Sequence, residues 1–166
     1  MESPQLPQPS PVPAQQPAAH PEILQLLARM RSGASWFFWI AGLSIVNSVI
    51  IVGGGDMKFV VGLGITEIID GLAQNAGSIG KGAGLFMDLC VAGIFTLFGV
   101  FAKKGNTACF IIGMVIYALD GLLFLLVQEW MSIGFHVFAL FCIFSGFTAQ
   151  RKLVQMAGSQ GQAASA

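Results

Sequence analysis

Four apolar stretches, each about 18 to 21 residues long, follow one another along this chain, over 36–53, 84–102, 107–127 and 131–149. A helix rises about 1.5 Å per residue, so each is near the length that crosses a hydrocarbon layer about 30 Å thick. No proline interrupts them, because all seven lie within the first 21 residues. Composition agrees with a lipid-facing exterior. Charged residues make up 10% of the 166, where soluble domains carry about 25%, and the mean hydropathy is +0.75. The 21 glycines permit close helix contact. Trp36, Trp39 and Trp130 stand at span ends, where aromatic side chains favour the membrane–water boundary.

The segments between and around these spans are of other kinds. Residues 1–21 mix Pro with Gln, Ala and Ser, the composition of an extended, disordered tail. Pro4-Gln5-Leu6-Pro7 fits the minimal PxxP pattern, which any such tail produces by chance. Over 22–32, Ile23, Leu24, Leu26, Leu27 and Met30 with Arg29 and Arg31 predict a juxtamembrane amphipathic helix. Nothing before it has the basic region and apolar core of a cleavable signal, so the first span is expected to direct insertion. Residues 153–166, rich in Gly, Ala and Gln, read as a flexible tail.

Segment 59–76 is apolar at Ile65, Ile68, Ile69 and Leu72 but carries Thr66, Glu67, Asp70 and Gln74 on one helical face. That pattern suits a helix lying at the surface, since a span would bury Glu67 near its middle. Basic residues favour the cytoplasmic side. With four spans and both termini inside, Arg29, Arg31, Lys103, Lys104, Arg151 and Lys152 are cytoplasmic and Lys58 and Lys81 are outside. A fifth crossing at 59–76 divides them five to three. The expected fold is therefore an all-α integral membrane four-helix bundle with an interfacial amphipathic helix between spans 1 and 2. The alternative is five spans with an internal duplication, which the likeness of 59–72 to 110–122 suggests.

Several functions are disfavoured. Eight basic residues against eight acidic ones leave no excess charge for nucleic acid. Cys90, Cys109 and Cys142 lie in apolar runs without paired or metal-ligand spacing. The glycine-rich stretch 77–84 lacks the spacing of a phosphate loop, with Asn75 where the first Gly belongs and Gly82 after Lys81. It reads as a turn before the second span. No HExxH motif, nucleophile–base pair or second intramembrane histidine for a haem is present, so no catalytic residue and no cofactor is predicted.

The informative residues are the polar ones inside the spans: Asn47, Asp88, Asp120 and His136. An Asp at a span centre costs roughly 2.5 to 3.5 kcal/mol, so these side chains should face protein or water. In the four-span topology they fall in one layer, about 6 to 10 Å from the outer span ends. Helical spacing supports this. Gly84, Asp88, Ala92 and Gly99 share a face, as do Gly113, Tyr117, Asp120 and Phe124, and Ser132, His136, Ala139, Ile143 and Gly146. Ser44, Asn47 and Ser48 do so on the first span. The leading expectation is a structural polar network of Asn47, Asp88, Asp120 and His136. The competing one is a proton or cation pathway, or a metal site, with Asp88, Asp120 and His136 as ligands or relays and Glu67 and Asp70 closing it from outside.

The run Trp36-Phe-Phe-Trp-Ile-Ala-Gly-Leu-Ser-Ile-Val-Asn47, with 59–72, Tyr117-Ala-Leu-Asp-Gly-Leu-Leu-Phe124 and Ile133-Gly-Phe-His-Val-Phe-Ala-Leu140, resembles an uncharacterised family of small bacterial four-helix inner-membrane proteins. The resemblance spans roughly 36–152 and implies a bacterial cytoplasmic membrane location and a common topology. It implies no activity. The expectation is a non-enzymatic, multi-pass protein with cytoplasmic termini, whose partners are the lipid bilayer and either a second copy or a larger membrane complex.

Overall fold

The computed structural model describes residues 21–53, 63–74 and 77–163. They form five helices: α1 (Pro21–Val52), α2 (Gly64–Gln74), α3 (Gly77–Lys103), α4 (Thr107–Leu126) and α5 (Trp130–Ala163). The expected disorder of the proline-rich tail and the first part of the expected surface helix fall outside the described residues. Helices α1, α3, α4 and α5 are long and apolar enough to cross a membrane. With 11 residues, α2 rises only about 16 Å.

Three helices overrun the spans expected from hydropathy, and packing explains each case. Segment 22–32 is not a separate helix but the start of α1. Leu26 and Met30 belong to the same buried cluster as Ala34, Phe37 and Ile40, so one stripe of i, i+3 and i+4 positions runs through both parts. Helix α5 continues to Ala163 through the segment expected to be flexible from residue 153. Leu153 and Met156 pack against the core there, and Ala and Gln are good helix formers. Helix α3 takes in the glycine-rich stretch expected as a turn. Its Gly80, Ala83 and Gly84 line a cleft with Ile69 and Leu72 of α2, their small size letting the two helices lie close.

Tight turns set the order of the bundle. At the end of α3, Gly105 takes φ +86°. Its N–H donates to the Ala102 carbonyl at 2.9 Å, and that of Asn106 to Phe101 at 3.0 Å, the paired bonds that close a helix on a left-handed residue. Asn106 then caps α4 by accepting the Cys109 N–H at 3.2 Å. Helix α4 ends in the same way with Gln128 at φ 56°, and Glu129 N–H reaches the Phe124 carbonyl at 3.1 Å.

The four long helices form a ring in the order α1, α3, α4, α5, with α1 packed most extensively on α3 and α5. The α1–α5 crossing is a backbone contact. A Cβ on Gly33 would stand 2.5 Å from the Cα of Gly146, so both positions need glycine. Phe37 fills the centre, its ring 6.1 to 6.4 Å from those of Phe95, Phe98 and Phe110. Gly113 makes room for it, since a Cβ there would lie 2.5 Å from the Phe37 ring. Successive long helices run up and down, so one end of the bundle gathers the start of α1, the α3–α4 turn and the end of the apolar part of α5. Arg31, Lys103, Lys104 and Gln150 line a common groove at that end, and Arg29 donates to the Ser145 hydroxyl at 2.7 Å beside it.

Candidate functional site

At the opposite end, a buried chain of polar groups links four helices. The start of α2 has no capping side chain of its own, because Leu63 stands where Ser, Thr, Asp or Asn is preferred. Its first N–H groups are satisfied from other helices. Leu63 donates to the Ser44 hydroxyl of α1 at 3.0 Å. Gly64 donates to Oδ2 of Asp120 at 2.8 Å, and Ile65 to Oδ1 at 2.9 Å. The carboxyl group of α4 thus sits on the positive end of the α2 dipole and takes two of the donors that a helix N-terminus leaves unmet. Close approach needs Gly64, where a Cβ would lie 3.0 Å from the Phe124 ring and 3.3 Å from the Asp120 carbonyl.

His136 of α5 completes the group. Its Nε2 lies 3.1 Å from Oδ2 of Asp120 and its Nδ1 lies 2.8 Å from the Ser132 carbonyl. A carbonyl only accepts, so Nδ1 carries a proton. A hydrogen bond between Nε2 and Oδ2 then needs one proton shared between the two atoms. The Tyr117 ring stacks on the imidazole with centroids 4.3 Å apart and planes 16° apart, and Phe124 flanks it at 5.1 Å. Gly121 allows the approach, as a Cβ there would stand 3.1 Å from the imidazole ring.

The residues singled out from sequence are placed in different ways. Asp120 and His136 are joined directly. Asn47 and Asp88 are buried on α1 and α3, Asn47 one turn beyond Ser44. Glu67 is half-buried and lines a cleft of about 200 Å³ with Gly64 and Phe124. The Asp70 side chain lies outside the described part of the structure. Thr66, expected on the polar face of a surface helix, is instead buried, its hydroxyl donating to the Leu63 carbonyl at 2.7 Å. Among the described residues, no three of His, Cys, Asp or Glu are grouped closely enough to hold a metal ion. The hydroxyls of Ser48 and Tyr117 have no hydrogen-bond partner among them either.

Sequence reasoning missed Ser44 as an acceptor and the α2 backbone as the second partner of Asp120. The available signal was the uncapped start of α2 at Leu63-Gly64-Ile65, which requires acceptors from elsewhere. No protein family, curated protein or solved structure matches the chain.

Proposed function

We propose that this chain is a non-enzymatic, multi-pass protein of the bacterial cytoplasmic membrane with both termini in the cytoplasm. It acts as an accessory component, self-associating or joined to a larger membrane complex. In this reading the Asp120–His136 pair is structural, holding α2 against the outer end of the bundle. The observation that carries it is the engagement of Asp120. Both oxygens accept a backbone N–H of α2, and Oδ2 also faces His136, which leaves little capacity for a passing or resident cation.

The interfacial position of α2 is supported by its exposed Ile65, Ile68 and Leu72, one apolar face at i, i+3 and i+7 suited to lie among headgroups. The orientation is supported by the gathering of Arg29, Arg31, Lys103 and Lys104 at one end of the bundle.

A second reading, a proton or cation pathway, draws on the cleft that places Glu67 beside Gly64 and hence near the Asp120–His136 pair. One experiment separates the two. The purified protein is assayed for bound metal and, in proteoliposomes, for proton and cation flux, together with Asp88→Asn, Asp120→Asn and His136→Ala. The structural reading expects no flux or metal in the parent and reduced folded yield in the Asp120 and His136 variants. Flux or bound metal in the parent, abolished in variants of normal yield, overturns it.

A further inference from the structure

The end of the bundle remote from Asp120 carries a groove of about 620 Å³ between α1, the α3–α4 turn and α5. Arg31 of α1 and the neighbouring Lys103 and Lys104 at the end of α3 converge on it, and among the described residues no carboxylate lines it. None of the three is ion-paired among the described residues. The ammonium of Lys103 instead rests over the Phe38 ring at 4.6 Å and that of Lys104 over Phe101 at 5.6 Å. The remaining lining is largely apolar, with Leu27, Met30, Leu153 and Val154. The Gln150 amide is already engaged, since it donates to the Gly105 carbonyl of the α3–α4 turn.

We propose that this groove binds the phosphate headgroup of an anionic phospholipid, with Arg31, Lys103 and Lys104 around the phosphate and the acyl chains along Leu27, Leu153 and Val154. Charge and shape both select this occupant. Three cations without counter-ions call for an anion, guanidinium and ammonium groups are strong phosphate donors, and the apolar wall beside them calls for an amphiphile rather than a free ion. The groove also lies where the apolar lengths of α1 and α3 end, at the depth of headgroups. This inference rests on the reading of the chain as a membrane protein.

The test uses the full chain in neutral detergent micelles titrated with phosphatidylglycerol or with phosphatidylcholine, followed by thermal midpoint and by native mass spectrometry of retained lipid. Phosphatidylglycerol is expected to raise the midpoint and to be retained at least tenfold more tightly. The triple variant Arg31→Gln, Lys103→Gln, Lys104→Gln should lose that preference, while Arg151→Gln with Lys152→Gln, also cationic but outside the groove, should keep it. Equal retention of the two lipids, or an undiminished preference in the triple variant, overturns the proposal. An equal midpoint shift from inorganic phosphate overturns the lipid in favour of a free anion. If the triple variant does not fold, Lys104→Gln alone decides: retention should fall about fivefold, and unchanged retention overturns the site. Failure of the membrane reading is distinct, because the parent would then be released from vesicles by alkaline carbonate.

Discussion

Asp120 shows how a carboxyl group is made tolerable in an apolar bundle. Burying it costs several kcal/mol unless its oxygens are occupied, and here two backbone N–H groups and an imidazole occupy them. Asp120→Asn replaces one acceptor oxygen with a donor that must face a donor. It should lower unfolding stability in detergent by about 1.5–3 kcal/mol, measured by denaturant titration of the purified protein. A neutral effect would mean that α2 is held by other contacts. Glycines separate into two classes at the same scale. Gly146→Ala pushes into the backbone of Gly33, with the added Cβ 2.7 Å from its Cα, and should cost about 1–3 kcal/mol. A Cβ added at Gly93 would meet nothing within 4 Å, so Gly93→Ala should be neutral or stabilising by up to about 1 kcal/mol. That Asp120 and His136 are buried and paired was legible in the sequence, because polar residues in apolar runs must find partners. That Gly64 and Ile65 are partners was not, since a backbone N–H is the same at every non-proline residue and carries no mark in the sequence.

Helix ends record a different kind of information. Gly105-Asn106 is readable as a stop followed by a cap, and both parts form. Gln128 takes the corresponding left-handed position after α4 without being glycine, a conformation that costs a side-chain-bearing residue about 1 kcal/mol or more. Gln128→Gly should therefore raise stability by about 1 kcal/mol, seen as a higher thermal midpoint with the fold unchanged by circular dichroism. A lower midpoint would show that the Gln128 side chain contributes contacts outweighing the strain. Hydropathy located the apolar part of α1 and α5 but not their full extent. Windows of hydropathy end where polar residues begin, whereas Leu26, Met30, Leu153 and Met156 extend the packing beyond that point.

For the whole molecule, the short α3–α4 and α4–α5 turns and the α1–α5 glycine crossing enforce an up-and-down ring. In a chain with Cys90, Cys109 and Cys142 replaced by Ala, Glu129→Cys and Ser159→Cys should react with a membrane-impermeant maleimide from opposite sides, Ser159→Cys from the cytoplasm. Labelling of both from one side would remove the proposed topology. The polar chain from Ser44 through α2 to Asp120 and His136 lies at one end of this ring and the basic groove at the other. Stability tests at the first and lipid tests at the second therefore perturb separate regions, far enough apart to be expected to act independently.

The amino-acid sequence alone determined that four helices of this chain have the length and apolarity to cross a membrane, and that Asp120 and His136 face inward. Both follow from local properties: hydrocarbon thickness sets a length, and the cost of burying polar groups sets a face. Only the tertiary structure decided that Asp120 caps α2, that Gly33 meets Gly146, and that Arg31 joins Lys103 and Lys104 around one groove. These residues are far apart in sequence, and what brings them together is the ring order of the helices, which depends on side-chain packing between distant segments rather than on any local pattern.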